Sequence, residues 1–162
     1  MAFSAPSLKG RALRYLAQRE HSRAELERKL ARHAEDGPDA SAAERIARAL
    51  DELQAAGLLS EARVAESVLT QGARFGSRRL RQTLQAKGLA PELVSQTLEQ
   101  ARSTELDRAR EVWRRRFGSV PADAAGRAKQ MRFLAGRGFD GDVIRRVVPS
   151  IGAADDGDPE LD

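Results

Sequence analysis

Two stretches of this chain repeat each other fifty residues apart. Leu84-Gln85-Ala86-Lys87-Gly88-Leu89-Ala90-Pro91-Glu92-Leu93-Val94 lies over Leu134-Ala135-Gly136-Arg137-Gly138-Phe139-Asp140-Gly141-Asp142-Val143-Ile144 without a gap. The leucine, a basic residue, the glycine, the large apolar residue after it and a terminal apolar pair all coincide, and Leu98 then meets Val148. A looser copy comes earlier: Leu26 and Leu30 match Leu80 and Leu84 at an offset of 54, with a longer polar connector from about Ala34 to Ala40. Self-similarity at such a period marks stacked supersecondary units. The shared glycine is expected to end a helix in the left-handed conformation, and the apolar residue after it to fold back on the helix just finished. Each unit then reads as one long helix and two short ones, and repetition gives an all-α helical solenoid. The polar connector is the expected most mobile internal segment.

Start and stop signals agree with this reading. Ser22-Arg23-Ala24-Glu25, Ser41-Ala42-Ala43-Glu44 and Thr104-Glu105-Leu106-Asp107 each place a hydroxyl at an N-cap and a carboxylate three residues on. Ser60 and Ser77 read as further N-caps, and Pro91 and Pro121 as first helical residues. Gly37, Gly57, Gly88, Gly118 and Gly138 read as stops. Ala43, Ile46, Ala47, Leu50 and Leu53 follow the helical stripe, as do Leu106, Ala109, Trp113 and Phe117. About nine helices result. No stretch alternates with β-branched enrichment, so strands are not expected. Trp113 and Phe117 read as core, Phe139 as the apolar staple after its glycine, and Tyr15 as a ring packed with its hydroxyl in water.

The predicted repeats span residues 8–57, 58–103 and 104–150, with an acidic tail, 151–162, expected to be disordered. Charge is graded along them. The first repeat holds 10 basic and 9 acidic residues, the second 7 and 4, the third 11 and 6, and the tail none and 5. A basic body of this kind favours polyanionic partners, which the tail would screen. Only four of the 28 basic residues are lysine. Arginine suits bidentate contacts to phosphate and carboxylate.

Enzyme chemistry finds little purchase. With no cysteine there is no disulfide, thiolate metal site or cysteine nucleophile. His21 and His33 lack carboxylate partners at metal spacing. Neither glycine-rich phosphate loops nor a Gly-x-Ser-x-Gly elbow occurs. Asp51-Glu52 and Asp155-Asp156 fall on polar faces or in the tail. No catalytic residue, metal or cofactor is expected. No run of about 18 apolar residues is present, so no membrane span is predicted and the cytoplasm is the expected compartment.

Several segments, taken in order, resemble the RecX family of recombination regulators. One runs from Gly57-Leu58-Leu59-Ser60-Glu61-Ala62-Arg63-Val64-Ala65 to Gly76-Ser77-Arg78-Arg79-Leu80, then Leu84-Gln85-Ala86-Lys87-Gly88-Leu89. Another is Lys129-Gln130-Met131-Arg132-Phe133-Leu134-Ala135-Gly136-Arg137-Gly138-Phe139, similar to the family's Arg-Gly-Phe signature. A third is Ala12-Leu13-Arg14-Tyr15-Leu16, then Ser22-Arg23, Glu25-Leu26 and Lys29-Leu30. The likeness spans roughly residues 8 to 150. Glu61, Val64 and Thr83 depart from the usual Asp, aromatic residue and Glu; these are capping or core positions. The resemblance implies an elongated, curved array of three tandem three-helix repeats. It also implies a monomeric, non-enzymatic partner that lies along the RecA–single-stranded-DNA filament and suppresses ATP hydrolysis and strand exchange, so restraining recombination and SOS-type repair.

The basic residues are the binding candidates. Arg74, Arg78, Arg79, Arg81 and Lys87 cluster in the second repeat, and Arg114, Arg115, Arg116, Arg127, Lys129, Arg132, Arg137, Arg145 and Arg146 in the third. Arg78 and Arg81 share a helix face, as do Lys129 and Arg132, while Arg114 to Arg116 fan around their helix. Taken singly, each could occupy a solvated face balanced by Glu and Asp. Stacked in register, they would form a stripe. The alternative is a sequence-tolerant DNA-binding protein, with Gly76-Ser77-Arg78-Arg79 opening a recognition helix. Against it stand the modest charge per repeat, the acidic tail and the absence of any aromatic platform for bases.

Overall fold

The computed structural model describes residues 5–152. The predicted acidic tail therefore lies outside the described residues from 153 onward. Nine α-helices and one 3₁₀ turn, with no strand, make up the regular structure of the described residues. They follow in three consecutive triplets. The first is α1 (Leu8–Gln18), α2 (Arg23–Leu30) and α3 (Ala42–Ala55), with the 3₁₀ turn Ala31–His33 extending α2. The second is α4 (Glu61–Gln71), α5 (Ser77–Ala86) and α6 (Pro91–Ser103). The third is α7 (Glu105–Arg116), α8 (Ala124–Gly136) and α9 (Gly141–Val147).

The predicted order of one long and two short helices does not hold. The third helix of the first triplet has 14 residues and that of the second has 13, whereas α9 has 7. Helix length follows where the stop glycine falls: the buried stripe Ile46, Leu50 and Leu53 carries α3 on to Gly57 at φ +72°. Ser22 and Ser41 both close full capping boxes with Glu25 and Glu44. Thr104 does not. It is the N-cap of α7 and its carbonyl accepts from Arg108 N, but its hydroxyl donates to Ala101 O and accepts from Arg108 Nε, so no side-chain cap bond forms. Ser77 is the first residue of α5 rather than its cap, and its hydroxyl donates to Glu105 at 2.6 Å. Pro121 precedes α8, which starts at Ala124 under Asp123, whose carboxylate accepts from Gly126 N at 2.7 Å. Gly37 ends no helix; its N–H closes a loop onto Ala40 O.

By contact the chain divides into two compact units. The first is Met1–Thr70 with Thr83–Thr97, and the second Gln71–Gln82 with Leu98–Asp162. The helices of the middle triplet contribute to both. In the first unit α1 packs on α3, and Ala12, Leu26, Leu30, Ile46, Leu50, Leu53 and Leu59 form the core, with Tyr15 partly buried against it. In the second, α7 packs on α9 around Ala109, Leu134, Phe139, Ile144, Val147 and Val148. Phe139 is fully buried there, and its N–H bonds back to Leu134 O as a staple after Gly138. Trp113 packs on the same core and donates to Gln130 Oε1 at 2.8 Å, which satisfies its ring N–H.

Each unit contains one version of the same joint, where the start of a second helix rests on the glycine turn that ends the next triplet's second helix. In the first unit the Ser22 hydroxyl donates to Lys87 O at 2.5 Å, and Gly88 (φ +71°) leaves so little room that a Cβ there would lie 2.7 Å from the Ala24 Cβ. In the second unit two backbones touch. Gly76 N–H donates to Arg137 O at 2.9 Å and Arg78 N–H to Gly138 O at 3.1 Å. A Cβ on Gly76 would lie 2.2 Å from Phe139 N, and one on Gly138 (φ +85°) 2.6 Å from the Arg79 Cβ. Only glycine fits at either position.

Candidate functional site

The candidate basic residues divide by what already holds them. Lys87, in the first unit, is half-buried with its ammonium 3.3 Å from Glu25. Arg115 pairs with Glu111 at 2.7 Å, and Arg145 with Asp142. Arg127 is half-buried and donates to Pro149 O at the end of α9. These four groups are engaged inside the molecule. Arg74, Arg81, Arg114, Lys129, Arg132 and Arg146 are exposed and, among the described residues, carry no ion pair.

The remaining four, Arg78, Arg79, Arg116 and Arg137, are ordered without deep burial. Arg79 lies 4.0 Å over the Phe75 ring. Arg137 sits 5.7 Å from Phe75 and 5.2 Å from Phe133. Arg116 sits 5.5 Å from Phe133 and 5.4 Å from Phe117, whose ring meets Phe133 edge-on at 5.4 Å. Guanidinium and phenyl groups thus alternate across the second unit. The ring faces attract cations by their quadrupole, which steadies the guanidinium groups beside them. Arg78 donates to Ala135 O and Phe139 O at 3.4 and 3.3 Å and lies 3.9 Å from Asp140.

Arg78, Arg79 and Gln82 form one wall of a cleft of about 300 Å³ whose other wall is Ala135, Gly136 and Gly138. Glu105, 2% exposed, accepts from Ser77 N at 3.0 Å, Ser77 Oγ at 2.6 Å and Asp140 N at 3.4 Å. One buried carboxylate therefore ties together the start of α5 and the turn before α9. Arg108 lies nearby, its guanidinium donating to Phe75 O and Ala101 O. Burial pushes its pKa down from the usual arginine value, opposed by the Glu105 charge.

The equivalent joint in the first unit is electrostatically closed. Arg23 reaches Glu27, Asp51 and Gln54. Glu25 accepts from Arg19 at 3.0 Å, Ser22 N at 2.8 Å and Lys87 at 3.3 Å. Burial alone would raise the Glu25 carboxyl, but Arg19, the Ser22 N–H and Lys87 together hold it down at about 2. His21 is buried beside it with Nδ1 3.0 Å from Arg19 O, and burial pushes the imidazole below its ordinary value despite that bond.

Sequence reasoning brought forward the arginines but passed over Phe75, Phe133, Gln82, Glu105 and Gly136. A signal for one of them was present: Phe133 and Arg137 stand four residues apart at the end of α8, the spacing that puts a ring and a cation side by side on a helix, whereas Phe75 precedes α5. Glu105 looked like part of a capping pattern, and nothing local announced its distant partners. Among the described residues there is no cluster that could hold a metal, and no helix long and apolar enough to cross a membrane.

Residues 103–148 match the family model described as RecX, third three-helix domain. The Regulatory protein RecX of Leptothrix cholodnii is 56% identical over 143 residues, covering 88% of this chain and 87% of that protein. The same-named protein of Ralstonia nicotianae is 47% identical over 154 residues, covering 94% and 93%. The crystal structure of RecX from Lactobacillus salivarius aligns with a TM-score of 0.69 at 19% identity, covering 86% of this chain and 91% of that one. That likeness carries the fold, and the sequence identities carry the lineage. The chain belongs to the RecX family of regulatory proteins.

Proposed function

We propose that the protein is a non-enzymatic negative regulator of recombination that binds the RecA–single-stranded-DNA filament and lowers its ATP hydrolysis and strand exchange. The reading rests on family membership over nearly the whole chain, and on one observation in the structure. On the second unit Arg74, Arg81, Arg114, Lys129, Arg132 and Arg146 are exposed and, among the described residues, carry no ion pair. The helical triplets, residues 8–57, 58–103 and 104–150, are its modules, and it acts as a cytoplasmic monomer.

The test is DNA-dependent ATP hydrolysis by RecA with the protein added well below RecA stoichiometry. Strong inhibition supports filament binding. Inhibition only once the protein coats the DNA moves the reading to direct DNA binding, and no effect overturns both. Charge reversal at Lys129 and Arg132, which are exposed on α8, is expected to weaken inhibition with helicity unchanged. Arg127 is left intact because its bond to Pro149 O steadies the end of α9. Unaltered inhibition by Lys129→Glu/Arg132→Glu would move the contact surface off α8. Each phosphate neutralised adds about −0.7 to −0.9 to the slope of log affinity on log salt, so a DNA-dominated contact also shows a steep salt dependence.

A further inference from the structure

We infer that the face shared by α1 and the end of α2, with Arg11, Arg14, Lys29 and Arg32, is a contact for the sugar–phosphate backbone of a single DNA strand. That the strand is the one inside the RecA filament rests on the reading proposed above; the chemistry of the face does not.

By composition the first repeat is the least promising, with 10 basic against 9 acidic residues. The charges are not evenly matched, however. Lys9 pairs with Glu52, Arg19 with Glu25, and Arg23 with Glu27 and Asp51. Arg63 of α4 takes Glu20, and Lys87 shares Glu25. Arg28 and Arg45 donate to the carbonyls of Ala86 and Glu35, and the Arg48 charge acts on the Glu44 carboxylate. Arg11, Arg14, Lys29 and Arg32 are left, and among the described residues they carry no ion pair.

The fold gathers these four around Tyr15, where the Lys29 ammonium lies 4.5 Å from the centre of the ring. Arg11 stands one turn before Tyr15 on α1, and Arg14 is its neighbour in the chain. Arg32 follows Lys29 by three residues, where the 3₁₀ turn continues α2. α1 contains no carboxylate, and those of α2 are already committed, Glu25 to Arg19 and Lys87 and Glu27 to Arg23. Glu35, the next acid along the chain, makes no ion pair with Arg32. Like charges on neighbouring turns repel, and a polyanion relieves that repulsion.

The spacing suits a nucleic-acid strand better than a single carboxylate. Packed helices lie about 8–10 Å apart, and a stacked strand carries a phosphate about every 3.4 Å, so cations on both helices span about three phosphates. One acidic side chain would meet one cation and leave the others unmatched. Lys29 already sits over the Tyr15 ring, so the contact is made to backbone rather than bases and is indifferent to sequence.

Two double variants test this. Arg14 and Arg32 are exposed, and glutamine is nearly as good a helix former as arginine, so Arg14→Gln/Arg32→Gln is expected to fold as the parent does. Lys9→Gln/Arg63→Gln removes the same net charge from cations that are already paired. Circular dichroism checks both, and fluorescence anisotropy measures binding of the full chain to labelled oligo-dT across a salt series. Each phosphate neutralised on a single strand contributes about −0.7 to the slope of log affinity on log salt. Arg14→Gln/Arg32→Gln is therefore expected to lower the slope by about 1.4 and the affinity about 25-fold at about 0.1 M salt, with the difference vanishing near about 1 M. The control is expected to keep the parent slope. Equal losses in the two variants would mean that net charge alone governs binding, and no loss in Arg14→Gln/Arg32→Gln would put the strand elsewhere; either result overturns the site.

NMR of the Tyr15 ring and Lys29 ammonium signals identifies the occupant, with oligo-dT and an acetylated Glu-rich peptide of equal charge as probes. Oligo-dT is expected to shift these signals at the lower concentration. The peptide doing so instead would make the occupant a protein segment and overturn the assignment. A protein that binds oligo-dT through this face but does not inhibit RecA ATP hydrolysis below stoichiometry would overturn the filament reading alone. Inhibition in that regime with no affinity for oligo-dT would overturn this face alone.

Discussion

At the scale of single residues, His21 and Glu25 make the first unit sensitive to acid. The His21 imidazole is depressed in the fold, so the unfolded chain takes up a proton as pH falls through 6.5 while the folded chain does not. Its contribution is present above that pH and is lost progressively below it. Glu25 is depressed from 4.5 to about 2, so its contribution is intact above 4.5 and is lost as pH falls through about 2. Two windows of acid destabilisation are therefore expected in urea denaturation series. His21→Asn, whose amide can still donate to Arg19 O, is expected to flatten the upper window and leave the lower one. An unchanged slope between about pH 6.5 and pH 5 would show that another group governs it.

At the scale of elements, the glycine crossing is where the fold is least forgiving. Gly76→Ala forces a methyl group into backbone at 2.2 Å, and the cost is expected to reach or exceed the 1–3 kcal/mol, roughly, typical of overpacking. Chemical denaturation measures it, and a change below about 0.5 kcal/mol, the range of an ordinary surface substitution, would mean the two backbones separate easily. Helix existence was readable from the chain because caps, glycines and apolar stripes are local signals: Ser22 with Glu25, Ser41 with Glu44, and Gly138 before Phe139 all act as their spacing suggests. What Thr104 and Ser77 do was not readable. Each hydroxyl had a plausible local partner but takes another, Thr104 the carbonyl of Ala101 and Ser77 the Glu105 carboxylate. The arginines were visible as a composition, but their sorting into engaged and available groups depends on carboxylates and rings distant in sequence, such as Phe75 under Arg137.

At the scale of the whole molecule, the two units carry separate reporters. The single tryptophan, Trp113, packs on the second core, whereas Tyr15, the single tyrosine, and His21 belong to the first unit. Acidification from neutrality to about pH 5 is expected to lower the circular-dichroism midpoint while leaving the Trp113 fluorescence midpoint in place. Coincident shifts of both signals would show one cooperative transition linking the units. The crossing of Gly76 and Gly138 has a further consequence for shuffled genes. Neither position can acquire a side chain while its counterpart stays as it is, so a chimaera whose crossover falls between codons 76 and 138 inherits the two halves of that contact from different parents. It will fold only if both parents kept their backbones bare there.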